Sequence, residues 1–198
     1  MKPNSNSEAY VTGCKAMETR DYTRAALAFD RAILDDPESP VYSNAAAVTA
    51  CLLGQYRRAE NLYKQAIAAA KVAFGHGSAL VGNVTFGLID LYQNQGRYDE
   101  AEIECRNLLD LLQGNATCAL RSRVLLRLAT IHRLRRQLPD AESAYLQAIE
   151  LRKQAFGQEH ERVIEIFPDL AALYHDMGRD DEAETLSRRV QTKSLDAA

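Results

Sequence analysis

No segment of this 198-residue sequence approaches the length of an apolar membrane span. The opening residues, Met1-Lys2-Pro3-Asn4-Ser5-Asn6-Ser7-Glu8, lack the apolar run that a secretory signal needs. A cytoplasmic chain without membrane association is therefore expected. Cysteine is sparse, and Cys14, Cys51, Cys105 and Cys118 lie too far apart for the paired spacing of a zinc site or the density of a disulfide-stapled domain. Reduced thiols serving as small apolar fillers are the expectation. Charge of one sign is also lacking: the formal net charge is −3, too mild for general attraction to nucleic acid or an acidic membrane.

Catalytic machinery is missing as well. His76, His132, His160 and His175 are scattered, with no His-Glu-x-x-His pattern, no Gly-rich phosphate loop and no Gly-x-Ser-x-Gly elbow. His132 is expected between packed helices and His160 in a loop. Cys14 and Cys51 could approach one another, but nothing nearby marks a reactive thiol. The sequence reads as a non-enzyme with no metal and no cofactor.

What is present is repetition. Hydrophobic residues make up 46% and charged residues 26% of the chain, enough for a well-filled core in a soluble protein. Ala25, Ala59, Ala101, Ala141 and Ala183 each stand just inside a helix opening, separated by 34, 42, 40 and 42 residues. Gly54, Gly96 and Gly178 precede three of these helices, where a tight turn favours glycine, while Arg20 and Arg136 hold the equivalent place in the others. Upstream of each turn is a helix with small or apolar residues at helical spacing, such as Leu125, Leu128, Ala129 and His132, or Leu170, Ala171 and Tyr174. Downstream lies its partner, with Ala25, Phe29 and Ala32 in the first unit and Ala141, Tyr145 and Ala148 in the fourth. Small residues let paired helices approach, and the aromatic fills the gap to the next pair.

With Gly13, Ala25, Phe29, Ala32 and Pro37 at their observed spacings, the first unit resembles the tetratricopeptide repeat consensus of about 34 residues. The later units are longer. Ala73-Phe74-Gly75 and Ala155-Phe156-Gly157 recur at one offset after Ala59 and Ala141, extending the second helix of the pair. Together with His160 and Val163 they resemble the repeat subtype of kinesin light chains and many bacterial repeat proteins. Departures occur where Cys105 and Leu108 replace the usual aromatic and alanine, and where Ser187 replaces the aromatic. The resemblance implies an all-α, right-handed superhelical solenoid of about five antiparallel helix pairs. It implies a single domain over 8–193, with repeats near 6–39, 40–81, 82–121, 122–163 and 164–197, a flexible N-terminus at 1–7 and a tail at 194–198.

Such a solenoid presents a concave groove lined by the first helix of each pair, and grooves of that kind hold peptides. The helical period places Tyr10, Cys14 and Met17 there, then Asn44, Val48 and Cys51, then Asn83, Phe86, Asp90 and Gln93. The fourth unit adds Arg123, Leu126, Arg127, Thr130 and Arg133, and the fifth adds Glu165, Asp169 and His175. Arg121, Arg123, Arg127, Arg133, Arg135 and Arg136 fall in a stretch, 111–139, with no Asp or Glu. Arg123 and Arg127 share a helix face. Guanidinium groups favour bidentate contact with carboxylates, so an acidic peptide or a C-terminal carboxylate is one expected ligand. The alternative is that the arginines pair with Glu165, Asp169 and Asp176 or remain a solvated face.

A nucleic-acid partner is not expected, because the patch lacks interleaved aromatics and an acidic unit follows it. The clamp by which some repeat proteins hold chaperone tails is poorly matched, since Tyr10 and Cys14, then Asn83 and Gly87, occupy its basic and amide positions. Three roles remain open: a peptide-binding adaptor, an assembly scaffold that self-associates through its convex face or ends, and a ligand-responsive sensor.

Overall fold

The computed structural model describes residues 7–112 and 118–196, with side chains placed as far as residue 192. The expected N-terminal segment therefore lies outside the described residues except for Ser7. The expected tail lies outside them from residue 197, and before that its backbone continues the last helix to Asp196.

Two compact units divide the chain, Met1–Ala101 and Glu102–Ala198. The first contains α1 (Glu8–Glu18), α2 (Tyr22–Asp35), α3 (Pro40–Leu52), α4 (Tyr56–Phe74) and α5 (Ala79–Asn94). Each of these packs on the one before it. Helix α6 (Tyr98–Leu111) begins in the first unit and ends in the second. The second continues with α7 (Cys118–Leu134), α8 (Leu138–Phe156), a single turn α9 (Glu161–Ile164), α10 (Phe167–Asp176) and α11 (Asp180–Asp196). Here α7 packs on α8, α8 on α9 and α10, and α10 on α11. All assigned elements among the described residues are helical.

The repeated alanines explain the pairing. All five have no solvent exposure, each at 0%. One turn later come Phe29, Tyr63 and Tyr145, each buried, with buried Cys105 at the same offset in the third repeat and exposed Ser187 in the fifth. The spacing of four places alanine and aromatic on one helix face, so the small residue permits close approach where the large one fills the next gap. Two glycines serve the same end from the facing helix. A Cβ on Gly13 would stand 2.4 Å from the Phe29 ring, and one on Gly87 would stand 2.6 Å from Tyr63.

Local signals start and stop the helices. Ser7, Asp21 and Ser78 cap α1, α2 and α5 by accepting from the backbone N–H three residues on, the shortest such bond being Arg24 N to Asp21 Oδ1 at 3.0 Å. The long α4 and α8, 19 residues each, end at Gly75 and Gly157, whose φ of 84° and 96° with ψ near 160° is open only to glycine. The turns between paired helices are left-handed in all five repeats. Gly54, Gly96 and Gly178 supply that conformation easily, whereas Arg20 and Arg136 adopt it at φ 59° and 61°.

The fifth repeat departs from expectation. Its first helix was expected as one segment carrying Glu165, yet the chain breaks between Ile164 and Phe167, and Glu165 is the C-terminal cap of α9. Pro168, near the start of α10, has no N–H to donate to the Ile164 carbonyl, so the helical ladder ends and restarts there.

The strained turn makes a prediction. Arg136→Gly relieves the left-handed arginine and is expected to stabilise the protein by about 0.5–1 kcal/mol, whereas Gly178→Ala costs about 1 kcal/mol. Urea unfolding of both variants checks the opposite signs.

Candidate functional site

The arginine run is placed on α7 and the turn after it, and its members divide into two sets. The Arg133 Nε donates to Asp176 Oδ2 at 2.6 Å, and Arg136 reaches the same carboxylate at 3.9 Å. Arg133 thereby holds the Asp176 carboxyl below its usual range. Arg135 donates to Glu102 Oε2 at 2.5 Å. Arg133 and Arg135 are half-buried in these contacts, whereas Arg136 is exposed. Arg121 is half-buried, while Arg123 and Arg127 remain exposed, four residues apart on α7.

The other expected groove residues also divide. In the first unit Tyr10 is half-buried, its ring 5.7 Å from Phe29 and 5.1 Å from Tyr42, so it packs within the first repeats. Burial, with Cys14 nearby, pushes its phenol pKa up. Phe86, expected in the groove, is only 5% exposed and belongs to the core, because α5 is covered on more than one side. Asn83 is exposed, and Asn44, Asp90 and Gln93 are half-buried. In the second unit the Thr130 hydroxyl donates back to the Leu126 carbonyl at 2.9 Å. Glu165 is tied to Arg152 at 3.1 Å, and His175 Nδ1 lies 2.6 Å from Asp180. Asp169 is exposed.

Beside Arg123, the start of α7, the end of α8 and the α9 turn enclose a cavity of about 350 Å³. Arg152 and Arg162 join Arg123 in its lining.

Three of the groups considered for chemistry have defined neighbours. His132 is buried, with Nδ1 2.9 Å from Gln137 Oε1. His160 caps α9, its ring 5.0 Å from Phe156. Cys51 lies 4.0 Å from the Tyr63 hydroxyl, and burial pushes its thiol pKa up, opposite to the activation a nucleophile needs. Among the described residues no cluster of three or more His, Cys, Asp or Glu could hold a metal, and no helix is long and apolar enough to cross a membrane.

One recurring device was missed in the sequence. The residue after each of three repeated alanines, Glu60, Glu102 and Glu142, accepts from an arginine of the next turn: Arg97 at 2.6 Å, Arg135 at 2.5 Å and Arg179 at 2.8 Å. Arg97 and Arg179 also lie over Tyr92 and Tyr174, 4.4 and 4.3 Å from the ring centroids. In α11 the equivalent Glu184 pairs within its own helix with Arg188. The signal was available in the glutamate that follows Ala59, Ala101, Ala141 and Ala183 and the arginine that follows Gly96 and Gly178.

A family model described as tetratricopeptide repeat matches residues 42–79, and a second so described matches 120–192. The chain belongs to the tetratricopeptide repeat family. Among solved structures, the repeats of a putative kinesin light chain from Podosopora anserina are similar at 15% identity and a TM-score of 0.80, over 100% of this chain and 99% of that one. BtubC (BKLC) from P. vanneervenii is 21% identical with a TM-score of 0.69, over 93% of this chain and 73% of its own. MamA is 16% identical with a TM-score of 0.68, covering 93% and 95% of the two chains. At these identities the likeness concerns the fold. No curated protein matches the sequence. Tetratricopeptide repeats serve protein–protein interaction and scaffolding in general, and the family is generally non-catalytic.

The Glu60 clamp generates a pH prediction. Arg97 chiefly, with help from Lys64 and Tyr92 and against the opposing effect of burial, holds the Glu60 carboxyl at about 2. Because the folded value lies below the ordinary carboxylate value of about 4.3, the stabilisation is complete above that value and is lost as pH falls through about 2. Glu60→Gln is expected to cost about 1–2 kcal/mol at neutral pH, with its urea midpoint converging on the wild type as pH falls from about 5 to 2.

Proposed function

We propose that this protein is a cytoplasmic, non-catalytic adaptor whose second unit binds an acidic peptide or an acidic segment of a partner protein. The observation that carries the reading is the exposure of Arg123 and Arg127 on one face of α7, beside a cavity lined by two further arginines. Guanidinium groups presented in register by a rigid helix suit carboxylates through bidentate hydrogen bonds. Asp169, expected on the same unit's groove, lies exposed on α10, where it is available to a polar flank of the ligand. Four cysteines without disulfides fit a reducing compartment.

A second reading, self-association as a scaffold, is favoured by one observation. Leu27 and Leu34, two helical turns apart on α2, are 69% and 73% exposed. Concentration-dependent mass in sedimentation, abolished by Leu27→Glu with Leu34→Glu, would support it.

The adaptor reading is tested by affinity capture from source-cell lysate. The wild type is expected to retain a partner that Arg123→Glu with Arg127→Glu loses, with circular dichroism confirming that both proteins are folded. Equal retention by both would overturn the assignment of this face. Arg133→Glu makes the complementary control: it is expected to lower stability, since it sets a second carboxylate against Asp176.

A further inference from the structure

Two surface features that the acidic-peptide site does not use complement one another. The first is α2. Arg24, Leu27, Arg31 and Leu34 recur at helical spacing on one exposed face of it, the two leucines at 69% and 73% exposure. Arg31 lies 3.7 Å from Asp35 on the same helix, yet its side chain is still 71% exposed. Two large apolar side chains in water, flanked by guanidinium groups, define what a matching surface must offer: an apolar floor between carboxylates.

The second feature is such a surface. In the second unit, α6 and α8 flank a groove floored by α7, made of two adjoining cavities of about 450 and 290 Å³ that share Leu109, Leu125 and Gln147 in their linings. Leu128 extends the apolar floor of one cavity and Leu151 that of the other, while the small side chains of Ser143 and Ala144 on α8 leave the space open. The rim is acidic, with Asp110 on α6 and Asp140 and Glu150 on α8 all exposed. Among the described residues Asp140 meets no cation, and Glu150 accepts from the neutral Gln154 at 3.0 Å. Of the two arginines in the lining, Arg106 is already engaged by Glu102 at 2.7 Å and Arg121 is half-buried.

The two surfaces match in length as well as in chemistry. Leu27 and Leu34 stand about 10 Å apart along their helix axis, and Asp140 and Glu150 about 15 Å apart along theirs, so both leucines fit between the rim carboxylates. We propose that α2 of one copy of this chain docks in the α6–α8 groove of a second copy, with Leu27 and Leu34 on the leucine floor and Arg24 and Arg31 paired to the acidic rim. This assigns both halves of the self-association raised above, on which it rests. The complementary stripe is carried by the chain itself, which selects a second copy over a foreign helix. The contact joins two different surfaces, so it is heterologous, and it either closes by reciprocal exchange or continues into longer assemblies.

Sedimentation of the full chain across about a hundredfold range of concentration is expected to show mass rising with concentration. Leu27→Glu with Leu34→Glu on the helix, and Asp140→Lys with Glu150→Lys on the rim, should each weaken association by about tenfold or more, with circular dichroism confirming the fold. Gln147→Arg, at an exposed position shared by both cavities, is the second groove variant should the rim pair disturb α8. The decisive sample mixes the helix variant with a groove variant. The first keeps an intact groove and the second an intact helix, so two chains that no longer self-associate are expected to form a one-to-one complex. Association lost with the leucines but unchanged by both groove variants, or no complex in the mixture, would overturn the groove assignment and leave self-association through α2 standing. Association unmoved by the leucine substitutions would overturn the docking and place the contact on another surface. A wild type that stays monomeric throughout would overturn both the docking and the self-association reading.

Discussion

The close approach of helices at the repeated alanines is the constraint on which the remaining structure depends. Ala25, Ala59, Ala101, Ala141 and Ala183 have no exposed surface, and Gly13 and Gly87 meet the facing aromatic rings where even one added carbon would collide. Packing at that density leaves little freedom in how each helix is turned about its axis. The orientation of the first helices, and with it the choice of side chains left at the surface, follows from contacts that contain almost no polar atoms.

Once the helices are set, charge is sorted by position. Glutamates next to the alanines reach arginines of the following turn, and the tyrosines beneath those arginines add a face for them to stack on. These partly buried pairs are ordered by the packing around them and less screened than exposed ones. They also consume cations. On α7 and its following turn Arg135 is used in this way by Glu102, and Arg133 is taken up by Asp176.

Much of the fold was legible in the sequence because the alanine spacing, the turn glycines and the Ala-Phe-Gly ends of the long helices each have one physical meaning at that place. The left-handed Arg20 and Arg136 were legible too, by their register with glycine. Other features were hidden. Phe86 was expected in a groove because the helical period gives a face but not how many neighbours cover it, and α5 proves buried on more than one side. The break at Pro168 escaped notice because proline is tolerated in a helix's first turn, and only the structure shows that a new helix starts there. Asp176 was already one of the partners considered for the arginines, but that it takes Arg133, 43 residues away, could be read only from the structure. The cavity lined by Arg152 and Arg162 lay outside a reading confined to first helices.

The central claim, that close contact at the small alanines fixes the helix pairs, is tested most directly by enlarging one of them. In Ala141→Leu the added carbons enter a position with no exposed surface, among Tyr145, Leu125 and Ala129. Equilibrium urea unfolding should show a loss of about 1–3 kcal/mol relative to the wild type. An unchanged midpoint and slope would mean that the paired helices have room to spare at this position, and the account would be contradicted at its foundation.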